Sequence, residues 1–460
     1  MLKHIRGILK MVIWMKTISI IIGKILILIG KIVNKGSTLP GEYALKIDKN
    51  LTKKFKLPEK IIAVTGSSGK GSTTAIIRKI FEEQGYTVCH NDSGANLVSG
   101  ITTTLIDNSN LKGEIKKDII ILEIDERYLN ILFKDIKPQI LVVTNICRDQ
   151  PPRQGNVDLV FDKINQGITK DMILIINGDD PYLRKFQLQN KENKIIYYGI
   201  EKNKYSYKKD LFKSLNIYYC PICNTKLKYN YKTFEENGDY YCEKCNFKRP
   251  EIDYKVTNIN YDKNYFIINN KYKIKTQYNI LFSIYNTTAS FATADQYNLD
   301  KEKMAKTLNN IFKNQKIYNE YKIENRKITI INNKNENATT FNQSLLNIKR
   351  KNDKKVVVIG WKEISRRYQF NDMSWMYDVD FELLNDENLE KVICIGRDKQ
   401  NIATRLKYAN IDKKKIITFN EIEDATNYIK KNTKSNIYAI LNFDYVHPFN
   451  NSIRGEQNEQ

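Results

Sequence analysis

VTGSSGKGSTT, Val64 to Thr74, is the stretch on which the reading of this chain turns. An apolar run, Ile61 to Thr65, enters it, and a helical pattern, Lys70 to Gln84, leaves it. A strand therefore delivers the chain into a glycine loop that opens at a helix N-terminus, where backbone N–H groups and the helix dipole favour phosphate. Thr65, Gly66, Ser68, Gly69 and Gly71 are the expected loop positions, and Lys70 is placed to reach β- and γ-phosphates. The hydroxyl of Ser72 or of Thr73 stands where Mg²⁺ is held in such loops. The spacing is not the common GxxxxGK[ST] form, because Gly66 precedes Lys70 by only four residues and Gly71 intervenes before Ser72. A bare glycine turn would lack the strand, the helix and the lysine together.

Working outward, IIILEID (119–125), QILVVTNI (139–146) and MILIING (172–178) are short β-branched runs separated by helical stretches. That alternation predicts a parallel sheet covered on both faces. ILEIDE places Glu123 and Asp125 at the C-terminal end of a strand, the edge at which open α/β sheets bind ligands. A carboxylate there can hold Mg²⁺ directly or through water, so Ser72 and Glu123 form the expected magnesium pair. A helix is expected near Ser283–Gln296. From Tyr318 the pattern restarts, with strand candidates at 356–360, 392–396, 416–419 and 437–443. The expected organisation is an N-terminal helix and connector (1–55), a central ATPase domain (56–316) and a smaller Rossmann-like α/β domain (317–460).

Two CxxC pairs, Cys220/Cys223 and Cys242/Cys245, lie 18 residues apart in a Tyr- and Lys-rich insert at about 205–255. Four thiolates at this spacing make a closed tetrahedral zinc site, which is structural because no position is open to substrate. Cys89, Cys147 and Cys394 stand singly, the usage of a reducing compartment. The formal charge of +23 invites a polyanionic partner, but the lysines are dispersed and no Arg-rich or aromatic-basic block stands out. Nucleic acid is therefore not an expected partner.

The N-terminal segment has no uncharged run longer than the seven residues Thr17–Gly23, far short of the ~20 needed to span a bilayer. Lys3, Lys10, Lys16, Lys24 and Lys31 recur at nearly seven-residue steps along an otherwise apolar helix. Two readings fit: a helix in a membrane interface with its lysines among the headgroups (residues 3–33), or a helix packed on its own domain with one wet edge. GSTLPGEYALKID, Gly36 to Asp48, reads as a turn-rich connector.

The loop, SGANLVSGI (93–101), LEIDE (122–126), TNICRDQ (144–150) and NGDDP (177–181) together resemble the ATP-dependent Mur ligase superfamily. GSTLPGEYALKID, the four-Cys insert ending in FKRPEIDY, and MSWMYDVDFE (373–382) are similar to the MurT-type subunits of lipid II isoglutaminyl synthase. The resemblance implies a central Mur ligase domain with ATP and Mg²⁺, and amidation of the α-carboxylate of D-glutamate in lipid II through an acyl phosphate. It implies ammonia from a GatD-type glutaminase partner, in the cytoplasm at the inner face of the plasma membrane. It places Asn96 and Arg148 in the active cleft, Asn286 toward the adenine, and Asp372 as the acid completing the partner's Cys–His pair, with Asp378 and Asp380 as neighbours able to serve. With only His4, His90 and His447 in the chain and no Cys partnering them in a nucleophile context, an internal glutaminase is not expected. The loop TGSSGKGST is closer to the folylpolyglutamate synthase version, which leaves an amino-acid-adding ligase, pseudomurein-type or folylpolyglutamate-type, as the alternative. Pro151 and Pro152 also depart from the family pattern.

Overall fold

A computed structural model describes residues 2–33, 37–91, 94–148, 156–276, 280–314, 318–323, 325–331, 337–362 and 372–455. Pro151 and Pro152 lie outside them. The first α/β unit is a nine-stranded sheet of β1 (Lys60–Thr65), β2 (Val88–His90), β3 (Ile119–Glu123), β4 (Ile140–Val143), β5 (Ile173–Asn177), β6 (Ile195–Ile200), β9 (Tyr254–Asn260), β10 (Tyr265–Ile268) and β11 (Tyr272–Lys275). Their spatial order is β11-β10-β9-β6-β5-β4-β1-β3-β2. The strands from β2 to β9 pair in parallel, while β10 and β11 add an antiparallel edge that the sequence pattern does not distinguish.

The side-chain alternation of β1 explains the two covered faces. Ile62 and Val64 pack into one core with Ile76, Ile77 and Ile80 of α3 (Lys70–Glu83) and with the helix Leu281–Asp295. Ile61 and Ala63 point the other way, into a second core with Ile101 and Leu105 of α4 (Val98–Asn108) and Ile20 and Ile27 of α1 (Leu2–Ile32). Strands buried on both faces have to be apolar throughout, which is why these runs are continuous.

One expectation for the N-terminus changes. Leu39–Ile47 is a helix, α2, rather than a turn-rich connector. Pro40 sits in its first turn, where its missing N–H costs nothing, and Gly41 serves contact: a Cβ there would lie 1.9 Å from the Ser99 carbonyl oxygen. α1 packs on its own domain with its described lysines along a wet flank, and a separate apolar face also looks outward. Lys16 donates to the Lys112 carbonyl at 2.6 Å and Lys31 pairs with Asp107 at 3.2 Å, while large apolar residues face outward. The side chains of Lys3 and Lys10 lie outside the described residues.

The second unit is a six-stranded sheet of β12 (Tyr318–Ile323), β13 (Arg326–Ile331), β14 (Lys355–Gly360), β15 (Leu389–Ile395), β16 (Ile416–Phe419) and β17 (Asn436–Leu441), in the order β12-β13-β17-β14-β15-β16. Between β6 and β9 the chain forms a separate antiparallel hairpin of β7 (Lys228–Phe234) and β8 (Asn237–Tyr241).

Candidate active site and metal centre

β1 lies between β3 and β4, where the strand order reverses, so its C-terminal end opens at a switch point on the sheet's carboxyl edge. Gly69 caps α3 with φ of 81°, a left-handed conformation that glycine adopts without penalty. A Cβ at Gly69 would stand 2.6 Å from Asn286 Nδ2, so the loop and the helix Leu281–Asp295 touch there. The loop is held from β4's side. Ser68 N donates to Asn145 Oδ1 at 3.0 Å, Thr144 Oγ1 donates to Ser68 O at 2.7 Å, and Ser67 Oγ donates to Cys147 O at 3.0 Å. Thr65 Oγ1 donates to the Ile124 carbonyl at 2.9 Å, tying β1 to the LEIDE segment.

Of the two hydroxyls in the first turn of α3, Ser72 is exposed and Thr73 is buried, with Thr73 Oγ1 lacking a hydrogen-bond partner among the described residues. The Glu123 carboxylate lies over the same turn, its Oε2 3.0 Å from where a Cβ on Gly71 would stand. Asn96 Nδ2 donates to Glu123 Oε1 at 2.8 Å, which fixes the carboxylate toward the loop. A bound Mg²⁺ fits a cleft with Ser72 and Glu123 as its protein oxygens, and glycines at 69 and 71 leave the cradle open where side chains would fill it. Lys70 donates to the Gly66 carbonyl and pairs with Glu126 at 2.7 Å; Glu126 is fully buried. Asp125 pairs with Arg127 at 2.9 Å and turns away from this arrangement.

Arg148, one residue beyond the Cys147 that holds Ser67, reaches across to the second unit. Its Nη1 lies 2.9 Å from Asp378 Oδ2 and its Nη2 donates to Ser374 Oγ at 3.5 Å. Asp372 accepts from Ser374 N at 2.9 Å, just ahead of the short helical turn Ser374–Asp378. Asp380 is buried, accepts from Lys213 N at 2.9 Å, and has its carboxyl pushed up to about 6 by that burial. Contacts thus link the phosphate loop to Glu123, Asn96 and Asn286, and through Cys147 and its neighbour Arg148 to Asp378 and the Asp372–Ser374 turn of the second unit.

Cys220, Cys223, Cys242 and Cys245 converge so that all four sulfurs lie within 4.8 Å of one another. Neighbouring Sγ atoms are 3.3 to 3.6 Å apart, close to the ~3.8 Å edge of a tetrahedron with 2.3 Å Zn–S bonds. The donor set fits zinc. Around it Leu227, Tyr240 and Phe247 form a core too small to stand unaided.

Several residues that build this region were not singled out by sequence. Glu126 adjoins the motif acids, and only its burial identifies it as the partner of Lys70. Asn145 fixes the loop and lies in the quoted TNICRDQ run. Arg249, at the end of the insert, pairs with fully buried Asp179 at 2.8 Å; Asp179 also accepts from Ile200 N and Tyr285 OH, both at 2.7 Å. Glu235, at the hairpin tip, accepts from Asn342 Nδ2 at 2.9 Å in the second unit. Burial, and after it neighbouring Glu236, holds the Glu235 carboxyl well above the usual range.

Known proteins resemble this chain in sequence and in fold. Residues 64–235 match the model of the Mur ligase middle domain, and residues 335–445 that of the MurT ligase C-terminal domain. The chain is 28% identical to the lipid II isoglutaminyl synthase (glutamine-hydrolyzing) subunit MurT of Staphylococcus aureus over 383 residues, 82% of this chain and 84% of the relative. It is also 28% identical to the Streptococcus pneumoniae subunit of that name over 434 residues, 92% and 94% of the two chains. A pseudomurein peptide ligase type C from Methanothermus fervidus superposes with a TM-score of 0.63 at 19% identity, covering 88% of this chain and 80% of that one. MurF from Acinetobacter baumannii gives 0.62 at 16% identity, covering 90% and 80%. With both family models matched in order and this fold beneath them, the chain carries a Mur ligase middle domain followed by a MurT ligase C-terminal domain.

Proposed function

We propose that the protein amidates the α-carboxylate of D-glutamate in the lipid II stem peptide to D-isoglutamine, in peptidoglycan synthesis at the cytoplasmic face of the membrane. A carboxylate is a poor electrophile at neutral pH, so ATP first converts it to an acyl phosphate, and ammonia then displaces phosphate. Lys70 and the loop N–H groups bind the transferring phosphates. Ser72 and Glu123 hold Mg²⁺, which supplies charge neutralisation there. Asn96 orients Glu123, and Asn286 lies beside the nucleotide loop. Arg148 holds the developing acceptor charge at the junction of the two units. A GatD-type glutamine amidotransferase subunit, bound as a heterodimer, supplies the ammonia, and Asp372 serves that partner's Cys–His pair. The four cysteines hold zinc as a structural staple. The observation that carries this reading is the cleft itself: a phosphate loop with a fixed carboxylate on one side, faced by Arg148 and the MurT-type wall on the other.

The test is co-expression with a candidate glutaminase and measurement of glutamine- and ATP-dependent amidation of lipid II. Incorporation of an amino acid and never of ammonia would sink the proposal. Asp372→Asn separates the role of that acid: glutamine-driven amidation falls while ammonium-driven amidation persists.

A further inference from the structure

One apolar face of the molecule is covered by no part of the described chain. Trp14, Ile18, Ile21, Ile25, Leu28 and Ile32 follow one another along α1 at steps of four and three residues, so they form a single stripe. All six are exposed, Trp14 by 70% and Ile32 by 76%. At 1.5 Å per residue the stripe is about 27 Å long.

The opposite face of α1 is fixed. Ile20 and Ile27 are buried, and a Cβ on Gly23 would lie 2.8 Å from Ile106 Cδ1, so the helix rests closely on α4. Lys16 is bonded to the Lys112 carbonyl and Lys31 to Asp107. Rotating the stripe inward would break these contacts, so the apolar face is a standing feature of the fold.

We propose that this face docks the protein on an anionic lipid bilayer, with α1 lying in the plane of the interface. Charge points to that occupant. Lys3, Arg6, Lys10, Lys16, Lys24, Lys31 and Lys35 precede the first acidic residue of the chain, Glu42, and the whole chain carries +23. No described helix is long and apolar enough to cross a membrane, so α1 lies on the surface. An exposed Trp beside aliphatic residues suits the headgroup boundary, whereas protein interfaces are depleted in lysine. α4 runs from Val98, next to the Asn96 site, to Asn108, beneath α1; at 11 residues it is about 16 Å long. With one helix packing distance added, the interface plane lies on the order of 30 Å from the Asn96–Glu123 pair. That this position suits a lipid-linked acceptor rests on the ligase reading above.

The test uses the full chain and vesicles of phosphatidylcholine with or without phosphatidylglycerol. Trp361 and Trp375 are buried, so of the three tryptophans Trp14 is the one that reports on lipid by fluorescence. The expected result is flotation with the anionic vesicles, a blue shift of the emission, and weakening of both by salt. Ile25→Glu/Leu28→Glu, at exposed positions, is expected to keep the thermal unfolding midpoint and lower partitioning at least about tenfold. Absence of flotation and blue shift overturns the proposal, as does flotation unchanged in the double variant. So does a double variant that instead dissolves a dimer or releases a partner protein on gel filtration, which would make the face a protein interface. Vesicle binding needs no catalysis, and ligation of a soluble stem peptide is assayed separately, so failure of one reading leaves the other measurable.

Discussion

Arg249→Ala removes the guanidinium that compensates Asp179 inside the first unit. Asp179 is fully buried, and burial raises its carboxyl pKa against the opposing pull of Arg249, Tyr285 and the Ile200 amide. Without Arg249 the carboxylate keeps only neutral hydrogen bonds, and breaking a buried pair in this way costs about 3–5 kcal/mol. The loss must depend on pH. The unfolded carboxyl titrates near ~3.9, and the variant's folded carboxyl titrates well above that. The wild-type carboxyl is itself raised, so the difference between the two proteins grows with pH between the wild type's folded value and the variant's higher one, at up to about 1.4 kcal/mol per pH unit. Above the folded value the loss is complete; toward pH 4 it shrinks, because the protonated acid no longer needs a cation. Urea unfolding of wild type and Arg249→Ala at pH 5, 6, 7 and 8 measures this. A stability difference below about 1 kcal/mol at pH 8, or one that grows toward pH 5, refutes the reasoning.

Lys70→Ala abolishes ATP-dependent ligation and, by removing the ammonium 2.7 Å from buried Glu126, also destabilises the fold by about 3 kcal/mol. Adding Glu126→Gln restores the melting temperature but not turnover, as calorimetry and phosphate release will report. On the zinc reading proposed above, Cys220→Ser lowers bound zinc at least about tenfold by elemental analysis, and speeds proteolysis within residues 220–245 at least about tenfold, since so small an apolar core would depend on a metal. Arg148 and Asp378 are both partly exposed, so Asp378→Ala changes stability by less than about 1 kcal/mol. Arg148→Ala, by contrast, lowers kcat/KM about a hundredfold, in steady-state assays with acceptor varied.

The core fold and the glycine loop with its neighbouring carboxylate were legible because they rest on local chemistry. A phosphate loop must place glycine, lysine and hydroxyl residues within a few positions of one another, and strands buried on both faces must be continuously apolar. The CxxC pairs are likewise local, so the sulfur cluster follows from spacing alone. What the sequence left open are choices of direction. LEIDE contains three acids, and it takes the end of β3 and the loop after it to send Glu123 to the phosphate loop, Glu126 to Lys70 and Asp125 to Arg127. The lysine period of α1 is real, yet a period does not say what else is wet; packing on α4 tied Lys16 and Lys31 to its neighbours along one flank and left a separate apolar stripe outside. Pro40 and Gly41 looked like breakers and instead begin a helix and let it approach α4, because their effect depends on position within the turn. Pairs such as Arg148–Asp378 and Glu235–Asn342 join residues more than a hundred positions apart. Sequence alone determined which chemistry the chain carries; only tertiary structure decided which side chains meet, because partner choice depends on packing across elements that sequence spacing does not encode.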